Sequence, residues 1–298
     1  MRIVCVPLLF ILSAGVTVGL SVATTSAGGQ ERPLPDFDTF LAETRRRLQA
    51  DDARQSGYVY VETRRTNSLD RSGRVTQVKV DVFESFPGLP GEPRWRRQLV
   101  KDGTPLTADE LARQDDERQK EVLAYARKLQ RDPEKLRIAE EKQRAEERKD
   151  TERAVADILR VYTLRMIGRE LVDGHPTVVM SFTPRKNAKP STREGRMMRH
   201  FAGKAWISET EYELVRLEAE AIETASFGLG LLARLHKGSR ASFERRKVNG
   251  EEWLPARSSY SGSARVLLLK RLAVGATSEY SDYRKFTVGT TLSDVTAK

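Results

Sequence analysis

The chain has 298 residues, with 52 Lys and Arg against 42 Asp and Glu and a formal net charge of +10. Its 39% hydrophobic content is enough for a packed core, which excludes a wholly disordered chain, and its charge density excludes a multi-span membrane protein. Three His and one Cys are too few for a His/Cys metal cluster, so neither a metal nor a cofactor is expected.

Arg2 precedes the apolar stretch Ile3 to Leu12, and two small-residue triplets follow, Ser21-Val22-Ala23 and Thr25-Ser26-Ala27. This is the pattern of a secretory signal peptide, residues 1–27, cleaved after Ala23 or Ala27. Ser13, Gly15, Thr17, Gly19 and Ser21 dilute the apolar run, which argues against a retained anchor. Cys5 lies early in the leader, where it cannot serve as a lipid-attachment cysteine, and the mature chain would carry no disulfide. An exported, periplasmic protein meets no nucleic acid. A pI near 9.7 points instead to anionic head groups at a membrane surface, surface polysaccharide or an acidic envelope protein.

Past Pro33 and Pro35, the apolar residues Phe37, Phe40, Leu41 and Leu48 fall at helical spacing and predict an N-terminal amphipathic helix. From Ser56 the period becomes two. Val59 and Val61, then Val78, Val80 and Val82, predict strands joined by an Asp70-Arg71-Ser72-Gly73 turn, and Trp95 to Lys101 predicts a third. At Thr107 the pattern changes again. Thr107 and Glu110 have capping-box spacing, and Asp132-Pro133-Glu134 reads as a new N-cap, so two helices are expected over Thr107 to Arg131 and Pro133 to Leu159. Between Thr107 and Arg153 there are 14 acids and 13 bases and few apolar residues, the composition of a charged helical arm inserted at about 107–153.

From Arg160 to Phe286, strand-like segments are separated by turns at Val172-Asp173-Gly174-His175 and Val248-Asn249-Gly250-Glu251, the signature of an antiparallel meander. Leu267, Leu268 and Leu269 predict a strand covered on both sides. The expected architecture is α+β: one domain over 28–298, mainly β, with nine or ten strands in a strongly curved or nearly closed sheet. Two basic stretches stand out. Arg185 to Lys204 holds seven bases and one acid, Glu194, and Arg234 to Lys247 holds six bases and one acid, Glu244. Both read as solvated loops or strand edges.

Gly228-Leu229-Gly230-Leu231-Leu232-Ala233 matches a dinucleotide-binding pattern, but no βαβ unit surrounds it. No serine elbow, no paired zinc histidines and no phosphate-binding loop occurs, and no catalytic residue is assigned. The pair Glu218 and Glu220 shares the face of a strand that points to water. Phe227 to Leu235 is too apolar for an ordinary connection. Phe227, Leu229, Leu231, Leu232 and Leu235, with Trp206, are the candidates to line or cover an apolar cavity, and Arg234, Lys237 and Arg240 the candidates to face an anionic head group. The competing reading is a short core helix packed on the sheet.

The second half of the chain resembles the periplasmic lipoprotein-carrier family, the outer-membrane lipoprotein-sorting (LolA-like) proteins. The resemblance is carried by Tyr162-Thr163-Leu164, Gly168-Arg169-Glu170-Leu171-Val172-Asp173-Gly174 and Val178 to Pro184. It continues through Lys204-Ala205-Trp206-Ile207-Ser208, Tyr212-Glu213-Leu214-Val215-Arg216 and Trp253-Leu254-Pro255 after the 248–251 turn. It implies a half-barrel of antiparallel strands with a helix across its mouth, holding lipid or lipoprotein acyl chains. The functions carried forward are a non-enzymatic periplasmic carrier of a hydrophobic or lipidated ligand and, alternatively, an envelope adaptor or sensor using the same fold to bind protein. A hollow, apolar-lined interior supports the first and a filled interior the second.

Overall fold

The computed structural model describes residues 32–70, 74–227, 233–266 and 270–286. The expected leader with both cleavage sites, the centre of the 70–73 turn and Leu267 to Leu269 lie outside the described residues.

The amphipathic segment forms α1 (Phe37–Gln55), followed by β1 (Tyr58–Leu69), β2 (Val75–Phe86), β3 (Trp95–Lys101) and the short β4 (Thr104–Pro105). The helical arm is α2 (Ala108–Arg131) and α3 (Pro133–Val161). Then come β5 (Tyr162–Val172), β6 (His175–Pro184), α4 (Arg193–Met198), β7 (Phe201–Ser208), β8 (Leu214–Ala221), β9 (Ala225–Phe227) and β10 (Ala233–Leu235). The chain closes on β11 (Arg240–Val248), β12 (Glu252–Val266) and β13 (Lys270–Lys285).

All thirteen strands among the described residues belong to one sheet, more than the nine or ten expected. The extra ones are β4, β9 and β10, two or three residues long and too short for any alternation to be read. The strand order is β4-β3-β2-β1-β13-β12-β11-β8-β7-β6-β5, with the β9–β10 hairpin attached to β12. The sheet ends at β4 and β5 and is therefore open. Asp102-Gly103 and Asp173-Gly174 make two-residue hairpin turns with positive φ at both positions, 50° and 87° in the first and 50° and 78° in the second. Asp and Gly are the residues that tolerate this backbone.

The arm leaves the sheet at one edge, β4, and returns to it at the other, β5. Its start is a complete capping box: Thr107 Oγ1 accepts from the Glu110 backbone N–H at 3.3 Å, and Glu110 Oε2 accepts from the Thr107 N–H at 2.8 Å. Replacing Thr107 with Ala should destabilise the first turn of α2 by about 1 kcal/mol. Hydrogen exchange checks this: amides of residues 108–111 should exchange faster while the sheet amides do not change. Gln114 of α2 clamps the outer edge of β3. Its amide accepts from the Gln98 N–H at 2.9 Å and donates to the Gln98 carbonyl at 3.0 Å, so a side chain satisfies backbone groups that an edge strand would otherwise leave open. Arg97 binds Asp115 through two 2.7 Å bonds, and Gln143 of α3 donates to the Gly91 carbonyl at 2.9 Å. Tyr125 of α2 donates to Glu140 of α3 at 2.5 Å, and burial with that carboxylate beside it pushes its phenol up to about 12.

The hydrophobic core lies under α1. Phe40, Val161, Tyr162, Val178, Met180, Phe182, Met198, Phe201, Ile207, Leu214 and Leu217 are buried together, with Phe37, Leu41 and Leu48 of α1 packed against them. Only the last quarter of the arm contributes. The buried residues of α3 are Ala154, Val155, Asp157 and Val161, and α2 has none.

Candidate functional site

Residues opposite one another in an antiparallel ladder project from the same face. The register therefore defines a transverse row across nine strands: Asp81, Arg64, Ser278, Ser258, Phe243, Leu217, Ala205, Met180 and Met166. The row changes character in the middle. From β11 to β5 it is apolar and belongs to the core under α1, whereas from β12 to β2 it is hydroxyl and charge. One face of the sheet thus has a half already filled by the chain's own helix and a polar half beside it.

The polar half is built around Glu62, a carboxylate 5% exposed in the centre of β1. Glu62 Oε1 accepts from Ser278 Oγ at 2.9 Å and from Arg64 at 2.8 Å, and Oε2 accepts from Arg96 at 2.6 Å. The Arg96 guanidinium lies 4.0 Å from the Phe83 ring centroid, and that of Arg64 5.6 Å from it. Both arginine side chains keep about a third of their surface exposed, 33% and 30%. Beside them, Tyr60 packs edge-on to Tyr280 with centroids 5.7 Å apart, packs tilted against Tyr283 at 5.4 Å, and carries Arg94 at 4.8 Å. Burial, with Glu62 nearby, pushes the Tyr280 phenol up to about 12. Tyr283 OH donates to the Pro255 carbonyl at 2.6 Å, and burial raises its pKa too. The surface is rich in Tyr and Arg with its buried charge compensated. Sequence patterning does not show it, because its residues are scattered over β1, β2, β3, β12 and β13.

Charge also locks α1 in place. Arg245 was expected in a solvated basic stretch; it is 2% exposed, and this corrects that expectation. Its guanidinium forms a two-pronged pair with Asp51 of α1, Nη1 to Oδ1 at 3.0 Å, and lies 3.8 Å from Glu213. Arg54 of α1 pairs with Glu213 in turn, and the Phe243 ring centroid lies 5.3 Å from Arg245. The alternation of β11 turns Arg245 inward, a direction composition cannot show.

The first basic stretch is likewise more ordered than a solvated loop. Asp157 of α3, 0% exposed, accepts from the Ser191 N–H at 2.9 Å, the Thr192 N–H at 2.8 Å and the Thr192 hydroxyl at 2.7 Å. It also pairs with Arg160 at 2.9 Å. Burial pushes this carboxyl up, and the hydrogen bonds from Ser191 and Thr192 outweigh it, leaving the pKa below its ordinary 3.8. Thr192 then caps α4 by accepting from the Gly195 N–H at 2.9 Å.

The residues picked from sequence are not brought together. Trp206 is buried on the other face of β7 from Ala205, beside Val179 and Arg216. Its Nε1 donates to Glu170 at 2.7 Å, and the Arg216 guanidinium lies 4.9 Å from its centroid. Phe227 is the last residue of β9, and Arg234 and Leu235 lie in β10, opposite Ser226 and Ala225. Leu229, Leu231 and Leu232 lie outside the described residues. Lys237 is exposed, and Arg240 donates to Glu220 at 3.0 Å. Glu218 is paired with Arg216, so the two carboxylates of β8 are each held by an arginine of their own.

No protein-family model matches the sequence, and no curated protein matches it. Solved structures do. A LolA superfamily protein from Nitrosomonas europaea is 11% identical, with 83% of this chain and 92% of that chain covered and a TM-score of 0.28. A putative outer membrane lipoprotein-sorting protein domain from Vibrio parahaemolyticus is 10% identical, with 86% and 96% covered and a TM-score of 0.32. The MucA/MucB complex of Pseudomonas aeruginosa gives 12% identity, 83% and 99% coverage and a TM-score of 0.22. At these scores the likeness bears on no ligand or partner of this chain. The chain is similar to LolA-like proteins, as its hairpin series predicts.

Proposed function

We propose that this is a non-enzymatic, exported envelope protein that acts as an adaptor, binding a protein partner on the polar half of the α1-bearing face. The observation that carries the reading is the transverse row from Asp81 to Met166. Its apolar half is packed by the chain's own helix, and its polar half centres on buried Glu62 with the part-exposed Arg64 and Arg96. Acyl chains gain nothing from a lining of charged and hydroxyl groups, because the part-exposed Arg64 and Arg96 would lose their water without gaining partners. Tyr and Arg on a firm support are the residue types that dominate protein–protein binding energy.

The carrier of a lipidated ligand stays as the second reading, favoured by the apolar sequence between β9 and β10. One preparation tests both. Native mass spectrometry of envelope-derived protein should show the bare chain, and a photo-crosslinking residue at position 64 should capture a protein in cells. A stoichiometric phospholipid adduct that Leu231→Glu or Leu232→Glu removes would overturn the adaptor in favour of the carrier.

A further inference from the structure

Several arginines of the described residues are committed to a carboxylate, among them Arg46, Arg97, Arg118, Arg137, Arg216 and Arg284, and along α2 and α3 bases alternate with as many acids. The β6–β7 connection differs in carrying bases with almost no acids among them. Lys186, Lys189, Arg196 and Arg199 are all exposed, and none forms an ion pair among the described residues. Glu194 is the one acid within residues 185–204, Glu223 nearby is taken by His200 at 2.7 Å, and Asp157 is buried and spent on Ser191 and Thr192. The bases are also held firmly. The loop hangs from Asp157, and a Cβ on Gly195 would lie 2.3 Å from its Oδ2, so α4 is seated directly on that carboxylate. Beside the patch, Ile222 is 42% exposed, with its N–H bonded to the His200 carbonyl at 2.9 Å.

We infer that this end of the sheet is a docking surface for an anionic lipid bilayer. The bases are spread over a loop, a short helix and its C-cap, an arrangement that meets a broad field of negative charge. A discrete acidic peptide would need a groove between them. A bilayer supplies such a field without geometric matching, attracts each nearby base by an amount equivalent to about five-fold in partitioning, and accepts an exposed isoleucine at its interface.

The test uses the mature full-length protein with vesicles of phosphatidylglycerol and phosphatidylcholine, against vesicles of phosphatidylcholine alone, in co-sedimentation at low salt. The wild type should bind the anionic vesicles only, and lose them as salt rises. The variant Lys186→Ala/Lys189→Ala/Arg196→Ala/Arg199→Ala should bind several-hundredfold more weakly with an unchanged melting temperature. Removing as many positive charges from α3, in Lys135→Ala/Lys142→Ala/Arg148→Ala/Lys149→Ala, should leave binding within a few-fold of wild type. Equal loss in the two variants, binding to neutral vesicles, or no vesicle binding by the wild type would overturn the proposal. So would wild-type protein that ignores vesicles but binds soluble polyglutamate, which would assign the patch to an acidic protein. None of these outcomes touches the crosslink at position 64, so the two proposals fail separately.

Discussion

Arg245→Ala is expected to cost about 3–5 kcal/mol, because it leaves Asp51 charged and buried between α1 and β11 with its main partner gone. For a domain of this size that lowers the melting temperature by roughly 6–20 °C. Thermal unfolding followed by circular dichroism reads it directly. A double variant separates the charge effect from loss of packing. Asp51→Leu with Arg245→Met removes both charges and keeps their volume, and it should recover most of the loss or exceed the wild type. Glu213 stays paired to Arg54 in both variants. If Arg245→Ala melted within a degree of wild type, α1 would be held by its apolar face alone.

The second large effect is expected at Asp157. Asp157→Ala strips the Ser191 and Thr192 N–H groups of their buried charged acceptor and detaches the loop before α4, and about 3 kcal/mol should be lost. Asp157→Asn restores the shape but sets an amide donor against backbone donors, so it should recover only part. The pH dependence follows from the same contacts. Asp157 and Glu209 both have folded pKa values below their ordinary ones, Glu209 because Arg169 and Arg32 grip its carboxylate. The unfolded chain therefore takes up protons first as the pH falls. Their contribution is complete above about pH 5 and is lost progressively as the pH drops through the ordinary carboxylate range towards the folded values. Urea unfolding at a series of pH values should show a shallower acid slope in Asp157→Asn than in wild type. An identical slope would mean that Asp157 does not differ between the folded and unfolded chains.

Local chemistry was legible wherever a residue's neighbours in sequence decide its conformation. The Thr107 and Glu110 box, Pro133 at the start of α3 and the Asp173-Gly174 hairpin all stand where the sequence puts them. The apolar spacing of Phe37, Phe40, Leu41 and Leu48 correctly marks the face of α1 that packs on the core. What could not be read is what depends on a distant partner. Alternation shows that Tyr60 and Glu62 share a face, but not that Tyr280 and Phe83 lie on either side of Glu62. Composition places Arg245 among bases but says nothing of Asp51, 194 residues away. Trp206 is as buried as a cavity residue would be, yet the pleat sends it to the other face. The polar half of the sheet was missed for the same reason: no short window contains more than three of its members, and the rest lie on distant strands.

The pairing of β1 with β13 has a consequence for how the molecule comes into being. Glu62 and Ser278, bonded across these strands, are 216 positions apart, so the sheet has its first and last long strands as neighbours in its middle. As the chain emerges N-terminus first, β1 to β4 are available as a meander before β13, which alone covers the other flank of β1. Such high contact order slows assembly, and an unpaired inner strand is a template for wrong pairing throughout the wait. Charges such as Glu62, Arg64 and Arg65 along β1 are of the kind that discourage pairing of a bare strand with the wrong partner.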